Sequence, residues 1–308
     1  MITVLMGTFN GEKYIAEQLD SLLNQTLLPD RILIHDDRST DSTPQILASY
    51  QKTHPGLIEV VTNAHNSGGS ASNFMSMMTT ARDDYLMLCD QDDVWLPEKI
   101  QASLEKITAM ESRWGVSTPA LMHSDLIVVD EDLKPDAHSF RENTFANYDR
   151  TTLRDQIIQN TATGCTIMYN RALADLITRT PHHMVMHDWW ISLIASAFGQ
   201  MGHIDDRTIL YRQHRENQVG VTDMRTWRYK LNRLVNPGKV RADIAKTYPQ
   251  AQEFLDFFAD KLTDDQRQLL KDYCAIPTRG KLGRIASVIR LGVWKTGFSR
   301  NVAYLLFI

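Results

Sequence analysis

The residues in this chain best suited to chemistry are carboxylates that follow apolar runs. Tyr85–Cys89 has the pattern of a buried strand and leads directly into Asp90-Gln91-Asp92-Asp93. Carboxylates crowded in this way repel one another, and a divalent cation between them removes the repulsion. Asp90 and Asp92 are alternate residues, so in an extended segment they point the same way and can share one hard ion that also bridges a diphosphate. The tetrapeptide fits equally well a solvated turn that supplies caps to the helix opened by Pro97. A second acidic loop, Asp36-Asp37-Arg38-Ser39-Thr40-Asp41, follows the apolar run Ile32-Leu33-Ile34. Asp37 is the member suited to accept hydrogen bonds from a base or ribose, whereas Ser39 or Asp41 reads as a helix cap.

These loops need a scaffold, and the spacing of apolar residues supplies one. Ile2–Met6 reads as a buried strand broken by the small, polar loop Gly7-Thr8-Phe9-Asn10-Gly11, and Ile15, Leu19 and Leu22 then repeat at helical spacing before Pro29-Asp30. The result is a βαβ unit in a parallel sheet, whose ligand side is expected at the carboxyl ends of its strands. A helix from about Thr43, a strand over Ile58–Thr62, the turn Asn66-Ser67-Gly68-Gly69-Ser70 and a helix near Ala71–Ala81 continue the alternation. Beyond it, strands are expected at Leu121–Val129, Gly164–Tyr169 and Arg207–Tyr211, and a helix at Asp188–Phe198. The Gly68-Gly69 turn is either a phosphate approach or ordinary turn chemistry.

The whole chain, 308 residues with 33 Lys+Arg against 37 Asp+Glu, has no charge field of the kind that marks a nucleic-acid binder. From Arg225 onward, however, 16 basic residues face only 7 acidic ones. A domain boundary is therefore placed there: an α/β catalytic domain over 1–224 and a basic helical region over 225–308. Cys89, Cys165 and Cys274 share no metal-ligand spacing, which speaks against a disulfide framework and suits a reducing cytosol. No signal peptide or membrane span is expected. Arg279, Lys281, Arg284, Arg290, Lys295 and Arg300 are interleaved with apolar residues and accompanied by no carboxylate between 279 and 300. This pattern fits a segment lying on an anionic inner leaflet, and it also fits a helix packed on the catalytic domain with its basic face in water.

In order along the chain, Thr8-Phe9-Asn10-Gly11, the Asp36–Asp41 loop, Asp90-Gln91-Asp92-Asp93-Val94-Trp95 and Tyr211-Arg212-Gln213-His214 resemble family 2 glycosyltransferases of the GT-A fold. Among these, the similarity is greatest to bacterial rhamnosyltransferase-type members of polysaccharide biosynthesis. The resemblance covers roughly residues 2–220 and implies an inverting, metal-dependent transfer of a sugar from a nucleotide-diphosphate donor, dTDP-rhamnose or a UDP-hexose, to a bacterial surface glycan such as O-antigen or capsule. It puts Thr8, Asn10, Asp37 and Asp90 at the nucleotide. Asp92, with Asp90, would hold Mn²⁺ or Mg²⁺; His214 fits either that ion or the diphosphate, or a role in ordering its loop. Asp188 aligns with the catalytic base, although His187 stands where a Glu is usual, and in isolation Asp188 reads as a helix cap. Asp125, Trp189 and Trp190 are candidates for the sugar or acceptor, the tryptophans fitting a core equally well, and Arg212 and Arg215 for the diphosphate. A lipid-linked acceptor and a peripheral place on the cytoplasmic face of the membrane follow from the same resemblance. A nucleotidyltransferase would want a basic glycine-rich loop after the first strand and a dinucleotide enzyme a Gly-X-Gly-X-X-Gly there, and the chain has neither. A non-catalytic nucleotide- or glycan-binding module on the same fold is the remaining alternative.

Overall fold

The structure, a computed structural model, describes residues 1–214 and 237–308. They form two compact units. The first contains Met1–Phe140, Ala162–Thr180 and the segment from Gly199; the second contains Arg141–Thr161, Pro181–Phe198 and the C-terminal helices. The boundary expected at 224/225 lies outside the described residues.

The first unit is built on one mixed sheet. β1 (Ile2–Thr8), β2 (Arg31–Asp36), β3 (Ile58–Thr62) and β4 (Tyr85–Cys89) are parallel in the order β3-β2-β1-β4. The sheet continues through β8 (Ile167–Asn170), β6 (Ala120–Val129), β9 (Gln200–Arg212) and β5 (Val94–Trp95), with β7 (Pro135–Ala137) beside β6. Helices α1 (Ile15–Leu23), α2 (Thr43–Thr53), α3 (Ser70–Met78) and α4 (Lys99–Trp114) connect the strands. α1 buries Ile15, Leu19 and Leu22, the residues whose spacing announced it, against Val4, Met6, Ile32 and Met87 of the sheet. This is the expected α/β class with flanking helices, and the register brings the functional loops together. Thr8 pairs with Asp36, Asp36 with Thr62, and Met6 with Cys89, so four loops leave the sheet along one edge.

Departures from the sequence reading are local. Gly164–Thr166 is a 3-10 turn closed by the Thr166 hydroxyl donating to the Thr163 carbonyl at 2.6 Å, and the strand begins only at Ile167. The last strand is more than twice as long as Arg207–Tyr211, because it starts at Gln200 against Pro119 and Ala120.

In the second unit, after the short helices α5 (Phe140–Thr144) and α6 (Leu153–Gln156), with α7 (Arg171–Ala174) in the first unit between them and the next helix, comes α8 (His187–Phe198). Five helices follow residue 236: α9 (Pro237–Ala245), α10 (Thr247–Phe257), α11 (Asp264–Cys274), α12 (Lys281–Leu291) and α13 (Phe298–Phe307). α11 carries a complete capping box between Thr263 and Gln266. Among the described residues, no helix is long and apolar enough to cross a membrane.

Candidate active site

The first two loops are clasped by side chains. Asp36 is buried; it accepts from the Thr8 hydroxyl at 3.1 Å, the Ser39 amide at 3.1 Å and the Ser39 hydroxyl at 2.5 Å. Asn10, in the left-handed region at φ 48°, accepts from the Thr40 amide at 2.8 Å, and its own amide donates to Ser39 Oγ at 2.8 Å. Asn is among the few side-chain-bearing residues that tolerate this conformation. Asp41 takes the Thr43 amide at 3.0 Å and the Glu12 amide at 3.0 Å. Burial opposes its charge, but these donors prevail and its carboxyl is held below the usual range. Asp41 therefore serves the start of α2, as the cap reading expected.

Asp37 is 3% exposed and organises the loop after β3. Its Oδ1 accepts from Asn63 Nδ2 at 2.8 Å and the Ser67 amide at 2.7 Å, its Oδ2 accepts from Ser67 Oγ at 2.7 Å, and its carbonyl accepts from Asn66 Nδ2 at 3.0 Å. Asn63 also donates to Asn73 Oδ1 at 2.9 Å, which ties the loop to α3. The glycines at 68 and 69 have φ of 87° and 151°, values that side chains avoid, so the turn itself requires them.

At the end of β4 the acidic residues separate. Asp90 and Asp92 are half-buried and Asp93 is fully buried. Gln91 pairs with the backbone of Phe9, accepting its amide at 2.9 Å and donating to its carbonyl at 3.0 Å, and so fixes the acidic loop beside the first loop. Gly11 lies against this amide: a Cβ there would come 2.4 Å from Gln91 Oε1. Burial, and then the charges of Asp92 and Asp90, push the Asp93 carboxyl well above its usual range. His214 Nε2 lies 2.8 Å from Asp92 Oδ2, and its ring meets Tyr14 at 4.9 Å between centroids.

Arg212, expected at the diphosphate, commits its guanidinium to the protein. Nε donates to the Asp92 carbonyl at 2.9 Å and Nη1 to the Glu131 carbonyl at 2.6 Å, Nη2 pairs with Glu17, and the plane lies 4.6 Å over Tyr14. Its amide donates to Asp93 Oδ1 at 3.2 Å. The group thus ties the end of β9 to the acidic loop and delivers His214 to Asp92. Arg215 lies outside the described residues.

For a metal, the donor types fit a hard divalent ion: two half-buried carboxylates, Asp90 and Asp92, and the His214 imidazole. The compact set is different from the one expected. Among the described residues, the group whose ligand atoms lie within 4.8 Å of one another is Asp90, Asp93 and Cys165, and His214 is not in it. Burial and the neighbouring carboxylates keep the Cys165 thiol well above its ordinary range, a poor partner for a hard cation. Behind this set, Lys99 is fully buried with its Nζ 4.4 Å over the Trp95 ring and no hydrogen bond among the described residues; burial lowers it to about 8.

Asp125 sits where the β6–β9 register shifts, buried at 3% exposure; it accepts from Ser139 Oγ at 2.6 Å and lies 3.9 Å from Arg207 Nε. In the second unit Asp188 occupies the first turn of α8, half-buried, and accepts the Trp189 amide at 2.6 Å. His187 is buried, and burial lowers its imidazole to about 3, so it is neutral where a carboxylate would need a partner. Trp189 donates from Nε1 to the Gln156 carbonyl at 2.5 Å. Trp190 is corrected to a core residue: it is wholly buried, edge-on to Phe254 at 5.4 Å and Phe257 at 5.6 Å.

The model of glycosyl transferase family 2 matches residues 3–178, more than half of the chain and every strand described above except β9. The chain belongs to glycosyl transferase family 2. Within that family it is 27% identical over 304 residues to the dTDP-rhamnosyl transferase RfbG of Shigella flexneri, covering 94% of this chain and 93% of that one. It is 26% identical over 205 residues to the putative teichuronic acid biosynthesis glycosyltransferase TuaG of Bacillus subtilis, 66% of this chain and 75% of that one. Among solved structures, S. aureus TarS 1-349 with UDP-GlcNAc shares the fold at a TM-score of 0.56 and 17% identity, covering 99% of this chain and 90% of that one. Mannosyltransferase PcManGT of Pyrobaculum calidifontis with GDP-Man and Mn²⁺ does so at 0.54 and 15%, covering 99% and 77%. As a family 2 glycosyltransferase the chain is an enzyme of polysaccharide biosynthesis. Three residues that position its loops were given no role of their own in the sequence: Asp36 and Gln91 lie inside the acidic motifs, and Glu17 meets Arg212 from a segment distant in the chain.

Proposed function

We propose that this family 2 enzyme transfers rhamnose from dTDP-rhamnose, or a hexose from a UDP-sugar, with inversion, to a growing surface glycan. The observation that carries the reading is the meeting of Asp92 with His214 at 2.8 Å beside Asp90, at the sheet edge where Asp37 and Thr8 also emerge. The likeness to a dTDP-rhamnosyl transferase over nearly the whole chain supports the rhamnose donor. The UDP-GlcNAc and GDP-Man complexes of the two structural neighbours support a nucleotide sugar as the class.

Asp90 and Asp92, with His214, are the residues that would hold Mn²⁺ or Mg²⁺, and the ion would stabilise the charge of the departing nucleoside diphosphate. Asp37 keeps one carboxylate oxygen with a single donor and can accept an N–H from the pyrimidine base, with Thr8 and Asn10 shaping the loop around it. Asp188 takes the proton from the acceptor hydroxyl as that oxygen attacks the anomeric carbon. Asp188 lies in the first turn of α8, where the positive end of the helix favours a carboxylate. Trp189, half-buried, offers a sugar-stacking face, and Asp125 holds the strand irregularity near the transferred sugar. The acceptor is a glycan, lipid-linked and met at the cytoplasmic face of the membrane. The basic region over 225–308 serves this second half of the reaction.

The test is titration of dTDP and UDP in Mn²⁺ and in EDTA, followed by a panel of nucleotide sugars scored for release of nucleoside diphosphate. Metal-dependent binding with one preferred donor is expected, and Asp92→Asn should weaken binding about tenfold or more. Equal affinity in EDTA and Mn²⁺ removes the metal. No release from any donor returns the chain to a binding module.

A further inference from the structure

The last two helices face the wrong way for a protein surrounded only by water. On α13, Phe298, Val302 and Leu306 recur every four residues and are 86%, 37% and 52% exposed, while Arg300 on the same helix is buried at 8%. That arginine donates to Thr296 Oγ1 at 2.7 Å and to the Thr144 carbonyl at 2.7 Å. The inversion, cation inward and phenylalanine outward, is the opposite of what burial of apolar area favours. α12 also turns apolar side chains outward: Leu282 and Ile289, two helical turns apart, are 82% and 57% exposed, although Val288 and Leu291 on the same helix are buried. Lys281 Nζ donates to the carbonyls of Leu306, at 2.5 Å, and Ile308, at 3.2 Å. The start of α12 is thus tied to the end of α13. Two helices joined in this way each expose an apolar stripe of the kind that marks an interaction site.

The surrounding charge selects the partner. Arg279, Lys281, Arg284, Arg290 and Lys295 surround or flank these stripes, and 279–300 contains no carboxylate. Asp272 of α11 lies 3.8 Å from Arg279 and 3.3 Å from Arg290, and this one acid leaves the patch strongly cationic. A second copy of the chain would set these cations against themselves. An anionic bilayer satisfies both features at once: the apolar side chains enter the acyl boundary and the cations remain among the headgroup phosphates. We infer that α12 and α13 form a monotopic docking face for anionic lipid, with Leu282, Ile289, Phe298, Val302 and Leu306 as its inserting residues. This identifies the contact behind the proposed membrane location, and it stands whether or not the donor assignment above is right.

Full-length protein is co-sedimented with vesicles of phosphatidylglycerol and phosphatidylcholine in equal parts, and with phosphatidylcholine alone, in the absence of any donor or acceptor. Binding is expected only to the anionic vesicles and should weaken as salt is raised. Leu282→Ser with Phe298→Ser changes two side chains that lie almost wholly in solvent, and should lower partitioning about tenfold or more while donor hydrolysis stays at the wild-type rate. Arg290→Gln with Lys295→Gln should weaken binding to the anionic vesicles at low salt and flatten its dependence on salt. Wild-type protein left in the supernatant by anionic vesicles overturns the inference, as does a folded Leu282→Ser/Phe298→Ser variant that sediments like wild type. A wild-type dimer that this variant dissociates, with no vesicle binding, assigns the patch to a second copy instead. If the serine variant fails to fold, the charge variant and the wild-type salt dependence still decide the matter, because binding indifferent to both removes the electrostatic half of the argument.

Discussion

Asp92 and Asp93 are neighbours in sequence and opposites in environment. Asp92 is half-buried and meets His214; Asp93 is sealed inside, its carboxyl pushed well above its usual range by burial and then by the two other acids. A ligand role suits the first, and a structural role, accepting the Arg212 amide, suits the second. Lys99 is the cationic counterpart. Its folded value of about 8 lies below the ordinary lysine value, so between that pH and about 10.4 the unfolded chain still binds a proton that the native state has released. Native stability should therefore rise with pH in this window relative to Lys99→Met, which has no such proton. Melting temperatures of the two proteins at pH 7, 8, 9 and 10 check this, and parallel curves would show that the ammonium is not desolvated as described. Asp188 is tested by Asp188→Asn. Nucleoside diphosphate affinity should hold while sugar transfer falls on the order of a hundredfold. Transfer near the wild-type rate would leave Asp188 as a residue of the first helical turn with no part in the chemistry.

At the scale of elements, Gly199 shows how tightly the start of β9 is fitted. A Cβ there would come 1.8 Å from the Pro119 carbonyl oxygen, a backbone atom that cannot rotate away, and the Gln200 amide donates to that same oxygen at 2.8 Å. Gly199→Ala should cost about 1–3 kcal/mol as the two strands are pushed apart, read as a lowered urea midpoint. An unchanged midpoint would mean that the strand start is looser than its geometry. The parallel half of the sheet was legible because each of its strands is a continuous apolar run followed by polar residues: Ile2–Met6 and Tyr85–Cys89 had little else to be. Asp90 and Asp92 were legible for the same reason, since strand ends show in the hydrophobic pattern. The rest of the sheet was legible only in part: β6, β8 and the end of β9 showed as apolar runs, but their pairing and the shortest strands did not. β5 is two residues long and is defined only by its pairing with Ile209 and Leu210, more than a hundred residues away. Arg212 looked like a phosphate ligand because its three partners, Glu17, Asp92 and Glu131, come from three separate loops and helices that no local pattern connects. Trp190 looked like a sugar platform because its aromatic neighbours lie some sixty residues onward in the chain.

For the molecule as a whole, that last packing sets the division of labour. The residues proposed for the nucleotide and metal, Thr8, Asp37, Asp90 and Asp92, all belong to the first unit, while the proposed base Asp188 rides on α8 of the second, where Trp190 packs against the aromatic residues of α10. A chain ending before Pro237 should keep dTDP or UDP affinity within a few-fold and lose sugar transfer altogether, because Trp190 loses a contact worth about 3–5 kcal/mol. Calorimetry and a product assay on the same preparation separate the two, and retained transfer would show that α8 stands without its partners. The same arrangement has a consequence during translation. Codons for the first unit are read almost completely before those for α10, so on the ribosome the sheet and its loops are in place while Trp190 still waits for Phe254 and Phe257. Until the final helices leave the exit tunnel that indole stays without its aromatic partners, a natural foothold for a chaperone.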